Sequence, residues 1–341
     1  MERIDTRAQL LDAIYASWTT QAIASAVTLR LPELLAAAPL DAPALALAAR
    51  CHAPSLRRLL VALASLGLVT QGDDERFSLT ASGAMLRDDA PGSLAAWALL
   101  CGGRQWAAQS RLVDCVRSGA SARVLAGGSD DFSHLDGDDE AAAVFHRAMT
   151  NLTQPIAEAL AATMAVGGAH CVVDIGGGYG QLIATLLRSH RHLHGVLVDL
   201  PHAIGPAAAW LAGQGVEGRC ELVCGSFFDA WPEGADAYLL KSVLHDWDDE
   251  RCGRILHRGR DALARRPRAR LIVMERVANE RATATPQDRA VARSDLNMLA
   301  SHSGRERRGS EYRALLEAAG LRMCGSRPLV NGYSAIEAAP G

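Results

Sequence analysis

From Cys171 onward, short β-branched runs alternate with longer helical stretches, and that alternation restricts the fold more than any other feature of the chain. Strands that recur with helices between them are covered on both faces, so this half is expected to form a doubly wound, Rossmann-like α/β domain. The predicted strands are Val172 to Ile175, Gly195 to Asp199, Glu221 to Val223, Ala237 to Leu240 and Leu271 to Met274. Leu321 to Cys324 and Tyr333 to Glu337 are expected to close the sheet as an antiparallel pair.

The 341 residues exceed what one hydrophobic core usually serves, and the first hundred have a different texture. Ala and Leu recur at helical spacing from Leu10 to Leu35 and from Ala44 to Leu66, punctuated by Pro32, Pro39, Pro43 and Pro54. A turn at Gly72-Asp73-Asp74 and the alternating run Arg76 to Thr80 then read as a hairpin, which makes a mostly helical winged helix. Between Cys51 and Ala90 four arginines face five acids, so this wing lacks the positive surface that phosphate contacts need. Its apolar helices are expected to pack against something else, such as a second copy of the chain. A middle section, Trp106 to Met164, reads as helical with a polar break at Gly127 to Asp131. The expected division is 1–105 for the winged-helix-like domain through which two copies would pack, 106–165 for a helical linker, and 166–341 for the Rossmann-like domain.

The strongest local motif is Val172-Val173-Asp174-Ile175-Gly176-Gly177-Gly178-Tyr179-Gly180, a buried strand running into a glycine turn ahead of a helix over Gln181 to Arg188. Glycines serve there because a ligand lies against bare backbone and the turn takes dihedrals a side chain forbids. Gln181 stands where a dinucleotide fingerprint has its third glycine. Asp174 would repel a phosphate and attract an ammonium group. Both points favour an amino-acid-containing cofactor such as S-adenosylmethionine over NAD. Twenty-five residues beyond Asp174, Asp199 ends the second strand, where an acid accepts ribose hydroxyls or else caps the next helix.

His245, in Lys241-Ser242-Val243-Leu244-His245-Asp246-Trp247, follows the carboxyl end of a strand, at the edge where open α/β sheets bind ligands. It reads either as a catalyst or as a loop residue beside a helix whose first turn holds the acids after it. The eight cysteines are scattered and read as reduced thiols, and neither the Cys220–Cys224 pair nor His190, His192 and His194 has a complete metal-ligand set. No metal is expected. Without a long apolar run or a secretory leader pattern, the chain is expected in the cytoplasm, bound to neither membrane nor nucleic acid.

With these residues in view, the chain resembles the small-molecule O-methyltransferases related to the plant caffeate and acetylserotonin enzymes, whose bacterial relatives act on polyketides and phenazines. The resemblance covers nearly the whole chain, including Val198-Asp199-Leu200-Pro201, Gly225-Ser226-Phe227-Phe228, Asp295 to Leu299 and Gly304-Arg305-Glu306-Arg307. It implies a homodimer formed through the N-terminal domain. It further implies that Gly176 and Gly178 border the methionine part of S-adenosylmethionine, that Asp199 with Leu200 holds the ribose, that Phe227 covers the adenine and that Lys241 helps fix the cofactor. His245 corresponds to the general base, flanked by Glu275 and Glu306. Ser226 departs from the pattern: the family usually has an aspartate there, whereas a hydroxyl is shorter and neutral.

Chemistry supports the same triad. A hydroxyl is a poor nucleophile until its proton leaves, and an imidazole of pKa about 6.5 suits that task, with a carboxylate to fix its tautomer. A phenol near pKa 10 lies about 3.5 units higher, roughly 5 kcal/mol for complete prior transfer, so transfer during attack, or an acidic substrate hydroxyl, is expected. Charge is lost in the reaction, which a dry pocket favours. Its expected walls are Phe145, Met149, Trp247, Asn297, Met298 and His302, whose apolar members read equally as core. The competing readings are methyl transfer to nitrogen or carbon and a ligand-sensing winged-helix regulator.

Overall fold

Pro32, Pro43 and Pro54 begin helices rather than interrupt them, each at the second helical position, where no backbone N–H is required. The computed structural model describes residues 3–163, 168–266 and 268–341. The chain divides into two compact units, Arg3–Ala107 and Ala108–Gly341. The end of the predicted middle section at Met164 and the predicted boundary after 165 lie outside the described residues.

The N-terminal unit contains α1 (Arg7–Thr28), α2 (Leu31–Ala37), α3 (Ala42–Ala48), α4 (Ala53–Ser65), β1 (Val69–Gln71), β2 (Phe77–Leu79), α5 (Ala81–Ala84) and α6 (Ala95–Gly102). Thr6 and Gln9 form a capping box at the start of α1. β1 and β2 pair antiparallel as the expected hairpin, with Val69 opposite Leu79. Leu31, Leu45, Leu56, Leu60, Leu63 and Phe77 make the core of this unit. Along α1, by contrast, Leu10, Ile14, Tyr15 and Trp18 remain exposed, the last at 69%.

A short α7 (Arg104–Gln109) crosses the division between the units. The middle section, helical as expected, continues with α8 (Leu112–Ser118), α9 (Ala122–Leu125), a 3-10 turn at Phe132–Leu135 just past the polar break, and α10 (Asp139–Thr163), which contains Pro155. Next come β3 (Cys171–Ile175), α11 (Gln181–Ser189), β4 (His194–Asp199), α12 (Pro201–Gly213), β5 (Cys220–Cys224), β6 (Ala237–Lys241), α13 (Asp249–Ala264) and β7 (Arg270–Ala278). The chain ends with α14 (Pro286–Ser301), β8 (Arg307–Arg308), α15 (Gly309–Ala318), β9 (Leu321–Pro328) and β10 (Tyr333–Pro340).

The large sheet runs β5-β4-β3-β6-β7-β10-β9. Its first five strands are parallel, while β10 runs antiparallel between β7 and β9, as the sequence implied. Side chains alternate between two cores: Val173, Ile175, Tyr238 and Leu240 on one face, Val172, Leu197, Leu239 and Met274 on the other. Covering both faces explains why the strands read as unbroken apolar runs. Strand order reverses at β3, which has β4 on one side and β6 on the other. A crevice at the carboxyl ends of these three strands follows from that reversal.

Leu239 is fully buried at the centre of the sheet, so Leu239→Ala should cost about 2–5 kcal/mol. Urea unfolding followed by circular dichroism measures this, and an unshifted midpoint would contradict the packing described.

Candidate active site

The first strand of the large sheet's domain, β3, ends in a turn whose backbone only glycine adopts readily: Gly176 and Gly178 have φ of 71° and 62°. A Cβ on Gly176 would press on Val243 at 3.2 Å and Phe227 at 3.4 Å, and one on Gly178 would face the His146 ring at 3.6 Å. Asp199 is tied into the same turn, accepting from the Gly178 N–H at 2.6 Å and the Leu200 N–H at 2.7 Å. Asp174 is buried beneath it, and its Oδ2 has no hydrogen-bond partner among the described residues. Burial, then the charge of Asp199, push the Asp174 carboxyl up to about 7. Burial also raises Asp199, against the two N–H groups that hold it.

After β6 the chain turns sharply, with Ser242 at φ 53°, into a 3-10 turn at Leu244–Asp246. Glu275, wholly buried on β7, supports this turn: its Oε1 accepts from the N–H groups of Val243 at 3.0 Å, Leu244 at 2.9 Å and His245 at 3.4 Å. His245 Nδ1 lies 3.1 Å from Glu306 Oε1 and 3.8 Å from Glu275 Oε2. Glu306 is itself held by the Ser294 hydroxyl at 2.5 Å, and its N–H donates to Asp295 at 2.8 Å. The three predicted catalytic side chains therefore converge. They also bring possible metal-ligating atoms within 4.8 Å of one another, although His245 Nδ1 and Glu275 Oε1 already have protein partners.

Electrostatics in this cluster oppose one another. Burial disfavours a charged His245 ring, but Glu275, Asp246 and Glu306 outweigh it and raise the imidazole to about 10. Burial drives Asp246 up to about 7 despite the ring beside it, and Glu275 is raised by burial as well. Glu306 alone of these acids is lowered, because the charge and hydrogen bond of His245 and the Ser294 hydroxyl overcome its burial. Lys241, at the end of β6, is lowered to about 8 by burial and by Arg276, and its Nζ stands 5.6 Å from the Tyr333 ring centre.

The predicted wall residues are only partly gathered by direct contacts. Phe132 brings three of them together, with its ring centre 5.7 Å from Phe145, 6.2 Å from Trp247 and 5.3 Å from His302. Met149 lies one turn beyond Phe145 on α10, while Asn297 and Met298 occupy the last turns of α14. Phe227 packs against Trp247 at 5.7 Å. The Ser226 hydroxyl accepts from the Phe228 N–H, and the Ser226 N–H donates to Asp229, so this residue shapes its own turn.

Four neighbours of the site carry no clear signal in the sequence. Phe132 sits just past a break that reads as merely polar. Asp246 reads as one of the acids of the following helix, yet Asp248 is the N-cap and Asp246 is buried 3.5 Å from His245 Nε2. Capping rules alone separate the two. His146 and His202 share a 2.8 Å hydrogen bond beside the glycine turn, and no local pattern announces a pair 56 residues apart.

Two family models account for most of the chain: an O-methyltransferase dimerisation domain over residues 11–89 and an O-methyltransferase domain over 110–322. The chain belongs to the O-methyltransferase family. It is 38% identical over 325 residues to a mitomycin biosynthesis 6-O-methyltransferase of Streptomyces lavendulae, covering 93% of this chain and 91% of that one. The crystal structure of LaPhzM superposes with a TM-score of 0.93 at 33% identity, over 98% and 99% of the two chains. NcsB1, an O-methyltransferase from neocarzinostatin biosynthesis solved with S-adenosylmethionine and 2-hydroxy-5-methyl naphthoic acid, matches with a TM-score of 0.80 at 32% identity over 95% and 96%.

In this O-methyltransferase the His245 proton stabilises the fold, since its folded pKa lies above the ~6.5 of an unfolded histidine. That contribution is complete below pH ~6.5 and is lost as pH rises towards about 10. A histidine Cε1–H titration by NMR on the protein alone should show one strongly alkaline ring, absent in His245→Ala and moved to lower pH in Glu306→Gln.

Proposed function

We propose that this O-methyltransferase uses S-adenosylmethionine to methylate a hydroxyl of a small aromatic secondary metabolite, with His245 as general base. The observation that carries this reading is the buried His245–Glu306–Glu275 cluster beside the glycine turn, at the carboxyl ends of β3 and β6.

The residues of the turn fit the cofactor. A bare glycine backbone, a buried Asp174 oxygen without a donor and an acidic Asp199 at the end of β4 match an ammonium group and a ribose better than they match a phosphate. Gly176, Gly178 and Asp174 would hold the amino-acid end, Asp199 and Leu200 the ribose, Phe227 and Ser226 the adenine, with Lys241 contributing from β6. When bound, S-adenosylmethionine supplies an electrophilic methyl group on a sulfonium.

The chain's own part is to orient the acceptor and take its proton. Glu306 accepts from Nδ1 and thereby leaves Nε2 as the nitrogen that receives the proton. Nε2 is a base only while it is bare, and the surrounding acids favour the doubly protonated ring. A nearby positive charge, or protonation of Asp246 or Glu275, removes that preference and frees Nε2. Phe132, Phe145, Trp247 and Met298 would exclude water and stack on a flat acceptor.

We further propose that residues 106–165 shape the acceptor pocket and that the protein works in the cytoplasm as a homodimer through the N-terminal unit. All eight cysteines are free thiols and no helix among the described residues is long and apolar enough to cross a membrane. The exposed α1 face supports the dimer.

His245→Ala should lower kcat by about 10²–10⁴ while calorimetry finds cofactor affinity unchanged. Labelled cofactor offered with phenazines, anthraquinones, flavonoids and simple phenols identifies the acceptor class. Full turnover by His245→Ala, or a product that gains a methyl group yet keeps every titratable hydroxyl, would refute the reading. Trp18→Asp should convert the dimer to monomer in analytical ultracentrifugation, and an unchanged sedimentation coefficient would place the interface elsewhere.

A further inference from the structure

Segment 304–307 lies against the backbone of the His245 turn more closely than side-chain packing requires. A Cβ on Gly304 would stand 2.0 Å from the His245 carbonyl oxygen, 2.4 Å from the Asp246 carbonyl carbon and 2.5 Å from the Trp247 nitrogen. Backbone atoms cannot move aside as a flexible side chain can, so only glycine fits. Three residues later Arg307 has no exposed surface. Its Nη1 donates to the Leu244 carbonyl at 2.8 Å and its Nη2 to the Trp247 carbonyl at 2.7 Å. Nε and Nη2 also meet Asp249 Oδ1, at 2.9 and 2.7 Å. Glu306, the partner of His245 Nδ1, stands between these two anchors in the chain.

We propose that Gly304 and Arg307 are positioning residues that clamp segment 304–307 onto the His245 turn and thereby set the distance between the imidazole and Glu306. Glu275 collects the N–H groups on one side of the turn, and Arg307 collects its carbonyls on the other. With both ends of the turn fixed, His245 and Glu306 meet through a rigid backbone contact rather than through two independently flexible side chains. A planar guanidinium is required because a single ammonium cannot direct parallel donors at two carbonyls and a carboxylate. Arg305, in the same segment, pairs with Asp249 and Glu311 without touching the turn's carbonyls, which makes it the control.

This inference rests on His245 as the proposed base, but its decisive readout does not. In the full-length protein, the His245 Cε1–H titration is followed in Arg307→Lys, Asp249→Asn and Arg305→Met, alongside kcat, KM and Tm. Arg307→Lys should move the titration to lower pH by about one unit or more, as the ring drifts from Glu306. It should also cut kcat about tenfold with KM nearly unchanged. Asp249→Asn, which loosens the guanidinium without emptying the core, should shift the titration in the same direction by less. Arg305→Met should leave it in place. If Arg307→Lys and Asp249→Asn lower Tm but leave the His245 titration and kcat as in the parent protein, Arg307 only supports the fold and the clamp is refuted. If Arg307→Lys fails to fold, Asp249→Asn decides by the same criterion. A His245 that titrates as expected but proves dispensable for turnover would refute the proposed base and leave the clamp standing.

Discussion

One buried carboxylate makes the site possible. Glu275 has no solvent exposure, and stripping water from a carboxylate costs several kcal/mol unless other groups replace that water. Here three consecutive backbone N–H groups do so, those of Val243, Leu244 and His245. They are the donors that a tight 3-10 turn leaves without intrahelical partners. The carboxylate and the turn therefore satisfy each other, and the turn could not enter the sheet edge without it. His245 owes its place to this exchange. Its own N–H is one of the three, and its ring leans back towards the carboxylate that holds its backbone.

The same arrangement explains why the acids around His245 respond so differently to burial. Glu275, Asp246 and Glu306 are all withdrawn from water, yet only Glu306 keeps a lowered pKa, because it alone combines the imidazole hydrogen bond with a hydroxyl donor from Ser294. Neighbouring carboxylates of similar burial are pushed apart by the donors each receives, which separates groups that stay charged from groups that accept a proton. His302 follows the opposite course. Burial holds it neutral, near 3, although Asp246 lies 3.8 Å from its Nε2. Two histidines and two glutamates packed around one turn are thus driven in opposite directions, His245 and Glu275 up, His302 and Glu306 down.

What could be read in the sequence was what depends on neighbours along the chain. Strand positions followed from apolar runs and the glycine turn from its spacing. The family resemblance named His245, Glu275 and Glu306, and the fold brings them together. The middle section is helical on both sides of the polar break read at Gly127 to Asp131, and it is interrupted once more at Gly119, whose left-handed conformation ends α8. Contacts between distant segments were invisible. The Phe132 cluster joins the 3-10 turn to α10 and to the His245 turn, and the His146–His202 pair links α10 to α12. Arg307 could be seen as part of a motif, but its burial and its reach to Leu244 and Trp247 depend on how β8 pairs with β7.

Charge balance connects the glycine turn to the His245 cluster. Asp174 and Asp199 sit below the turn, while Asp246, Glu275 and Glu306 surround His245, so five acids lie close to the carboxyl ends of four neighbouring strands. Against them stand the half-buried Lys241, the buried imidazole and Arg276, whose charge acts on both Lys241 and Glu306. Burial above all, and after it the charge of the neighbouring acids, raises Asp174 and Asp246 to about 7. Any cation that enters lowers the cost of ionising them and at the same time makes the protonated ring of His245 less favourable. A surplus of buried acid thus favours positively charged ligands and, through the same field, would set when His245, the proposed base, loses its proton.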